Sequence, residues 1–235
     1  MSPLLKWLDA FYLKIEKAGL LEHFVYNDIN YFQSCKSQII LNINRYLKGD
    51  DQVLKKNPNY LNHKKNIIAN FKSVIKYIAR PRIDKSDIIF WANEITHYAQ
   101  QAPLITHLDS LGLEFCFVSD NAKVIKKIKL DGFKLIDLRF FASSPKEGYL
   151  GLDVINEIIN NISILNMPEL SFENSTVLKD IIINTIIFNI NYIHRYATYA
   201  DLISSSTNAN LFVLGNSHTL SGSTIAQYAK KNNIK

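Results

Sequence analysis

From Asp84 onward, short apolar runs alternate with stretches of helical length. The runs are Asp87-Ile-Ile-Phe-Trp-Ala92, Leu113-Glu-Phe-Cys-Phe-Val118, Phe133-Lys-Leu-Ile-Asp-Leu138 and Asn210-Leu-Phe-Val-Leu214. A strand with one wet face alternates apolar and polar side chains. A run that is apolar at successive positions needs cover on both faces, as in a parallel sheet between helices. Helices are expected at about Tyr98 to Leu111, ending at Gly112, and at Ala122 to Leu130, entered through Ser119-Asp120-Asn121 and left through Asp131-Gly132. Further helices are expected at Asp153 to Leu165, Val177 to Ser204 and Ser221 to Lys231, with Ser143 to Gly148 a loop between halves. A β-α-β-α-β succession with short connections folds as a parallel sheet with right-handed crossovers. The fold class expected is α/β, a Rossmann-like parallel sheet flanked by helices over residues 83–235.

The preceding residues carry a different period. Leu4, Leu5, Leu8, Phe11, Tyr12 and Ile15 recur at helical spacing after Pro3, and Gly19 ends the pattern. A second helix is expected from Asn27 to Leu47, before Gly49-Asp50-Asp51. A third runs from Tyr60 to Ala79, between the turn signal Asn57-Pro58-Asn59 and Arg80-Pro81-Arg82. Residues 1–82 therefore read as an all-helical N-terminal segment.

Apolar residues make up 47% of the 235 and charged residues 20%, which suffices for a packed core and excludes global disorder. Eight glycines and six prolines exclude collagen-like and linker compositions. Cys35 and Cys116 are far apart in apolar segments, so they build neither a disulfide framework nor a zinc site, and a reducing compartment suits them. No histidine pair has metal-ligand spacing, so no protein-bound metal is expected, and no cofactor is expected. The formal charge of +6 is dispersed over Lys64/Lys65, Lys123, Lys126/Lys127/Lys129 and Lys230/Lys231. Solvated helix faces account for such clusters. Their functional reading is attraction to nucleotide phosphates or an anionic membrane surface, and nucleic acid is disfavoured for want of a reader motif. Charges interrupt Met1 to Gly19, and Asn184, Asn189 and Asn191 interrupt Ile181 to Ile193. Neither a secretory signal nor a membrane span is expected, and the location expected is cytoplasmic.

Ligands of open parallel sheets bind beyond the carboxyl ends of the strands, where the crossover direction switches. The loops Asn93–His97, Ser119–Asn121, Arg139–Gly148 and Gly215–Gly222 lie there. In the first, Glu94 or His97 could act as general base towards a hydroxyl, with Asn93 and Thr96 contacting substrate. Asn93 or Thr96 could equally cap the helix, with His97 solvated. In Gly215-Asn216-Ser217-His218-Thr219-Leu220-Ser221-Gly222-Ser223, small residues permit close backbone approach, and the following helix N-terminus favours an anion. A well-capped strand-helix turn has the same composition. If the first and fourth strands are neighbours, His97 and His218 face one crevice. His107 and His194 read as structural, and His23 and His63 as solvent-facing. Asp120 reads as a helix cap and Asp137 as pointing out of the sheet, neither with a visible partner.

The segment Ser86-Asp-Ile-Ile-Phe-Trp-Ala-Asn-Glu-Ile-Thr-His97, with Leu108-Asp-Ser-Leu-Gly-Leu-Glu-Phe-Cys-Phe-Val118 after its helix, resembles the opening of a GT-B glycosyltransferase. Residues 210–234 are similar to the late N-terminal-domain strand and helix of bacterial surface-polysaccharide glycosyltransferases, with Asn233 where a glycine is more usual. The resemblance covers residues 85–235 and is one of pattern. It implies the acceptor-side half of a metal-independent transferase that uses a nucleotide-sugar and a glycan acceptor. The base would be Glu94 or His97, and a C-terminal half or partner chain would complete the cleft. A nucleotide-sugar epimerase and a non-catalytic partner subunit of a split transferase are the competing expectations. The amphipathic first helix permits peripheral contact with the inner face of the membrane, or packing onto the α/β domain.

Overall fold

The computed structural model describes residues 3–17, 19, 25–26, 29–54, 83–141 and 175–235. The helices expected at 60–79 and 153–165, the loop at 143–148, and His23 and His63 lie outside the described residues. Chain proximity divides the protein into two compact units, residues 1–64 with 149–194 and residues 65–148 with 195–235. The sheet-bearing unit is thus discontinuous in sequence, and residues 149–194 go with the N-terminal residues.

In the first unit, α1 (Pro3–Lys17) buries Leu8, Phe11 and Ile15, and α2 (Tyr31–Leu47) buries Phe32, Cys35, Ile39 and Ile43. Both sets follow the helical period. Phe32 stacks on Phe11 and Tyr12 at ring separations of 5.8 and 5.6 Å, and Lys36 pairs with Asp9 at 2.8 Å. Of the apolar stripe of α1, Phe11 and Tyr12 are therefore engaged with α2. The segment is not all-helical, because Val25–Tyr26 (β1) and Ile29–Asn30 (β2) form a two-residue antiparallel ladder. The expected helix start at Asn27 moves to Tyr31. Asn30, extended at φ −82° and ψ 109°, accepts the Gln33 amide and caps the helix there.

The second unit holds a four-stranded, wholly parallel sheet in the order β5-β4-β3-β6. Its elements are β3 (Ile88–Trp91), α3 (Ile95–Ser110), β4 (Phe115–Ser119), α4 (Ala122–Leu130), β5 (Leu135–Asp137), α5 (Ser175–Thr207, of which residues from Arg195 belong here), β6 (Leu211–Leu214) and α6 (Leu220–Lys231). Ile88 pairs with Phe115 on one side and Leu211 on the other, so β3 is central. All four of its residues are buried, which is the cover on both faces that the apolar run demands. Phe90 and Phe117 join Tyr98, Ile105, Val124 and Ile128 in the core beneath α3 and α4. Trp91 meets Phe212 on the opposite row at 5.8 Å.

The last element ends in a left-handed residue, Asn233 at φ 56°. The Ile234 amide reaches the Ala229 carbonyl at 2.9 Å and that of Asn233 reaches Lys230 at 3.4 Å, the pairing of a Schellman cap. A side chain is disfavoured at positive φ, though asparagine is disfavoured less than most. Asn233→Gly should therefore stabilise the unit by about 0.5 kcal/mol, raising the thermal midpoint by about 1–2 °C. A lower midpoint in a melt of the two proteins would contradict it.

Among the described residues no helix is long and apolar enough to cross a membrane. Thr185, in the apolar stretch of α5, donates to the Ile181 carbonyl at 2.7 Å and accepts from Asn42 at 2.9 Å. Asn189 donates to the Thr185 carbonyl at 2.7 Å, so these polar groups are satisfied within the first unit.

Candidate functional site

The chain runs from β3 through β4 to β5 in one direction, then returns to place β6 on the other side of β3. The crossover direction therefore switches between β3 and β6, the position at which an open parallel sheet parts its loops. The loops that part are those carrying His97 and Gly215, so the adjacency that brings them together is present.

Their contact is close. His97 lies in the first turn of α3, only 8% exposed, and its side chain covers Gly215. A Cβ on Gly215 would come within 2.3 Å of His97 Cγ and 2.4 Å of its Cβ. The solvated histidine weighed as an alternative is thus not what forms, because a glycine opposite leaves room for the ring. Gln101, one turn further along the same face, is 3% exposed. Its amide donates to the Trp91 carbonyl at 3.2 Å and to that of Val213 at 3.1 Å, tying β3 to β6 where they diverge.

Asparagines join the neighbouring loops. Asn93 donates to Ser221 Oγ at 3.1 Å, while its own carbonyl accepts from Asn121 at 3.0 Å. Asn93 Oδ1 is buried without a partner, as are Trp91 Nε1 and Gln101 Oε1. Neither Asn93 nor Thr96 caps α3. Glu94 occupies the cap position, extended at φ −133° and ψ 155°, without a side-chain cap bond. Glu94 is exposed, and Thr96 donates to it at 3.4 Å.

In the loop after β6, Asn216 Oδ1 accepts the His218 amide at 2.7 Å and Thr219 Oγ1 caps α6 by accepting the Gly222 amide at 3.1 Å. Asn216 and Thr219 therefore shape the turn. Ser217 and His218 stand exposed beside it.

Two aspartates differ from expectation. Asp120 is not the cap of α4; Asn121 is, accepting the Lys123 amide at 3.0 Å. Asp120 instead accepts from the Tyr196 hydroxyl at 2.6 Å. Asp137, 5% exposed, is paired through both oxygens with Arg139, at 2.9 Å to Nε and 2.6 Å to Nη2. The short turn after β5, Leu138–Phe141, brings the guanidinium back onto the carboxylate, which an extended strand would not do. Both partners are separated from their aspartates by tertiary placement or a turn, so period-two reasoning gave no sign of them. Gln101 carries no such local mark, while Ser221 and Gly222 are marked only as small residues of the loop after β6. The one available signal was the i, i+4 spacing of His97 and Gln101, two polar residues on a face that must meet the sheet.

Burial pushes the Cys116 thiol up to about 12 and raises that of Cys35 as well. Neither is a thiolate nucleophile near neutral pH. Among the described residues no group of three or more His, Cys, Asp or Glu is placed to hold a metal ion. What remains is a histidine, an exposed carboxylate and uncharged hydroxyl and amide groups at a switch point, a set that can donate and accept hydrogen bonds and includes titratable groups. Comparison of the chain with protein-family profiles, curated proteins and solved structures yields no match.

Proposed function

We propose that the sheet-bearing unit is Rossmann-like and forms the acceptor-binding half of a nucleotide-sugar-dependent glycosyltransferase of the GT-B type, acting in bacterial surface-glycan assembly at the cytoplasmic side of the membrane. The observation that carries this reading is the contact of His97 with Gly215 across the β3–β6 switch point. His97 is favoured over Glu94 as the base because its ring is held against the loop of β6, whereas Glu94 is exposed and fixed only by Thr96.

In this mechanism an acceptor hydroxyl gives its proton to the His97 imidazole. The acceptor oxygen then bonds to the anomeric carbon of the activated sugar, and the bond to the nucleotide phosphate breaks with its electron pair leaving on the phosphate. A C-terminal half or partner chain would hold the nucleotide. Ser217 and His218 contact the acceptor, while Asn93, Asn216 and Thr219 keep the loops that carry them in register.

The test is sugar transfer from UDP- and CMP-activated donors to glycan acceptors by the protein isolated from its own cells. His97→Gln should slow transfer by about a hundredfold or more, as expected for removal of a general base, while Glu94→Gln stays near the parent rate. Full activity in His97→Gln would remove the proposed base. Sugar conversion without any acceptor would favour an epimerase instead.

A further inference from the structure

Beside α4, Ala122, Ile125, Lys126, Lys129, Leu130 and Arg139 line a shallow groove of about 340 Å³. The helical members recur at i, i+3, i+4, i+7 and i+8, so the groove follows one stripe of the helix and Arg139 closes it from the turn after β5. The charges along it are unequal in their pairing. Lys127, on the neighbouring stripe, holds Asp131 at 2.9 Å, but among the described residues no carboxylate pairs with Lys126 or Lys129. Arg139 is held from behind by Asp137, whose side chain is 6% exposed; that fork engages Nε and Nη2 and leaves the remaining guanidinium hydrogens available. Leu130, 72% exposed, forms an apolar shoulder next to the two lysines.

Two ammonium groups without a carboxylate partner among the described residues and an oriented guanidinium, beside apolar side chains, suit an oxyanion attached to something partly apolar, and three clustered positive charges favour a multiply charged phosphoryl group over a carboxylate. We propose that the α4 groove binds such a phosphoryl group. This stands independently of the transferase reading, since the groove shares no residue with the β3–β6 loops. The phosphoryl group has two sources, a phospholipid headgroup or a soluble phosphate ester.

The full chain is sedimented with phosphatidylcholine vesicles with and without phosphatidylglycerol, and separately titrated with inorganic pyrophosphate by NMR. Lys126→Glu/Lys129→Glu is compared with Lys85→Glu/Lys230→Glu, which changes net charge equally at exposed sites elsewhere on the same unit. The groove variant should weaken binding about tenfold or more at low salt and the control variant far less. Groove-dependent binding to phosphatidylglycerol vesicles that pyrophosphate does not displace identifies a lipid headgroup. Pyrophosphate-induced shifts confined to the groove, without vesicle binding, identify a soluble phosphate. Equal weakening by both variants, or no binding to either probe, overturns the proposal. Circular dichroism of the exposed-site variants verifies that they remain folded.

Discussion

Replacing Phe117 with alanine is expected to destabilise the sheet-bearing unit by about 3–5 kcal/mol, the usual cost of emptying a buried aromatic site. Phe117 sits at the centre of β4 and is fully buried. Its ring lies 5.3 Å from Phe90, 5.2 Å from Tyr98 and 5.9 Å from Phe133, so it joins β3, α3 and the approach to β5. Phe90 and Tyr98 belong to a strand and a helix fixed by backbone pairing and cannot close the space without breaking register. Most of the removed volume therefore remains as a cavity. Guanidinium unfolding monitored by aromatic circular dichroism measures the effect. Phe188, 59% exposed on α5, is the comparison, and its replacement should change stability by less than about 0.5 kcal/mol. A loss below about 1 kcal/mol at Phe117 would mean that this aromatic cluster does not hold the sheet.

Gly222→Ala is the second large effect, and its sign opposes ordinary helix propensity. Glycine inside a helix is worse than alanine by about 1 kcal/mol, so a free site would gain from the change. Gly222 lies in the first turn of α6, where a Cβ would stand 1.9 Å from the Asn216 carbonyl oxygen and 2.9 Å from Thr219 Oγ1. The obstacle is backbone, so it yields only if the Gly215–Thr219 turn moves. That movement also breaks the Thr219 cap, whose loss alone costs about 1 kcal/mol. A net destabilisation of about 3 kcal/mol follows from overpacking and cap loss together. The amide shifts of residues 216–219 and His97 should change with it, because the turn and the histidine share Gly215. A variant as stable as the parent, with those shifts unmoved, would refute the close approach.

Much of the secondary structure of residues 83–141 and 210–235 was legible because local chemistry decides it. Continuous apolar runs located β3, β4 and β6, and Asn121 with Asp131-Gly132 bounded α4. The first helix of the sheet was expected at Tyr98 and begins at Ile95, since Glu94 serves as its extended entry residue without the side-chain cap that would mark it in a sequence. In the candidate site, His97 and Gly215 could be named from their places at strand ends, and Ser221 and Gly222 as small residues of the same loop, whereas Gln101 could not. Their roles consist of a bond or a clearance to another loop: Gln101 to the Val213 carbonyl, Ser221 to Asn93, Gly222 to the Asn216 carbonyl.

By itself, the sequence determined that this chain makes parallel strands, the central one buried on both faces, with helices at the intervals between them. Burial, period and capping act within a few residues and are written in composition and spacing. Only the tertiary structure decided that β6 lies against β3, that Asp120 and Asp137 have Tyr196 and Arg139 as partners, and that residues 149–194 leave the sheet-bearing unit to join the N-terminal one. Apolar strands of similar length pair equally well in several orders. The choice among them rests on interactions between residues far apart in the chain, such as the single-atom clearance between Gly215 and His97.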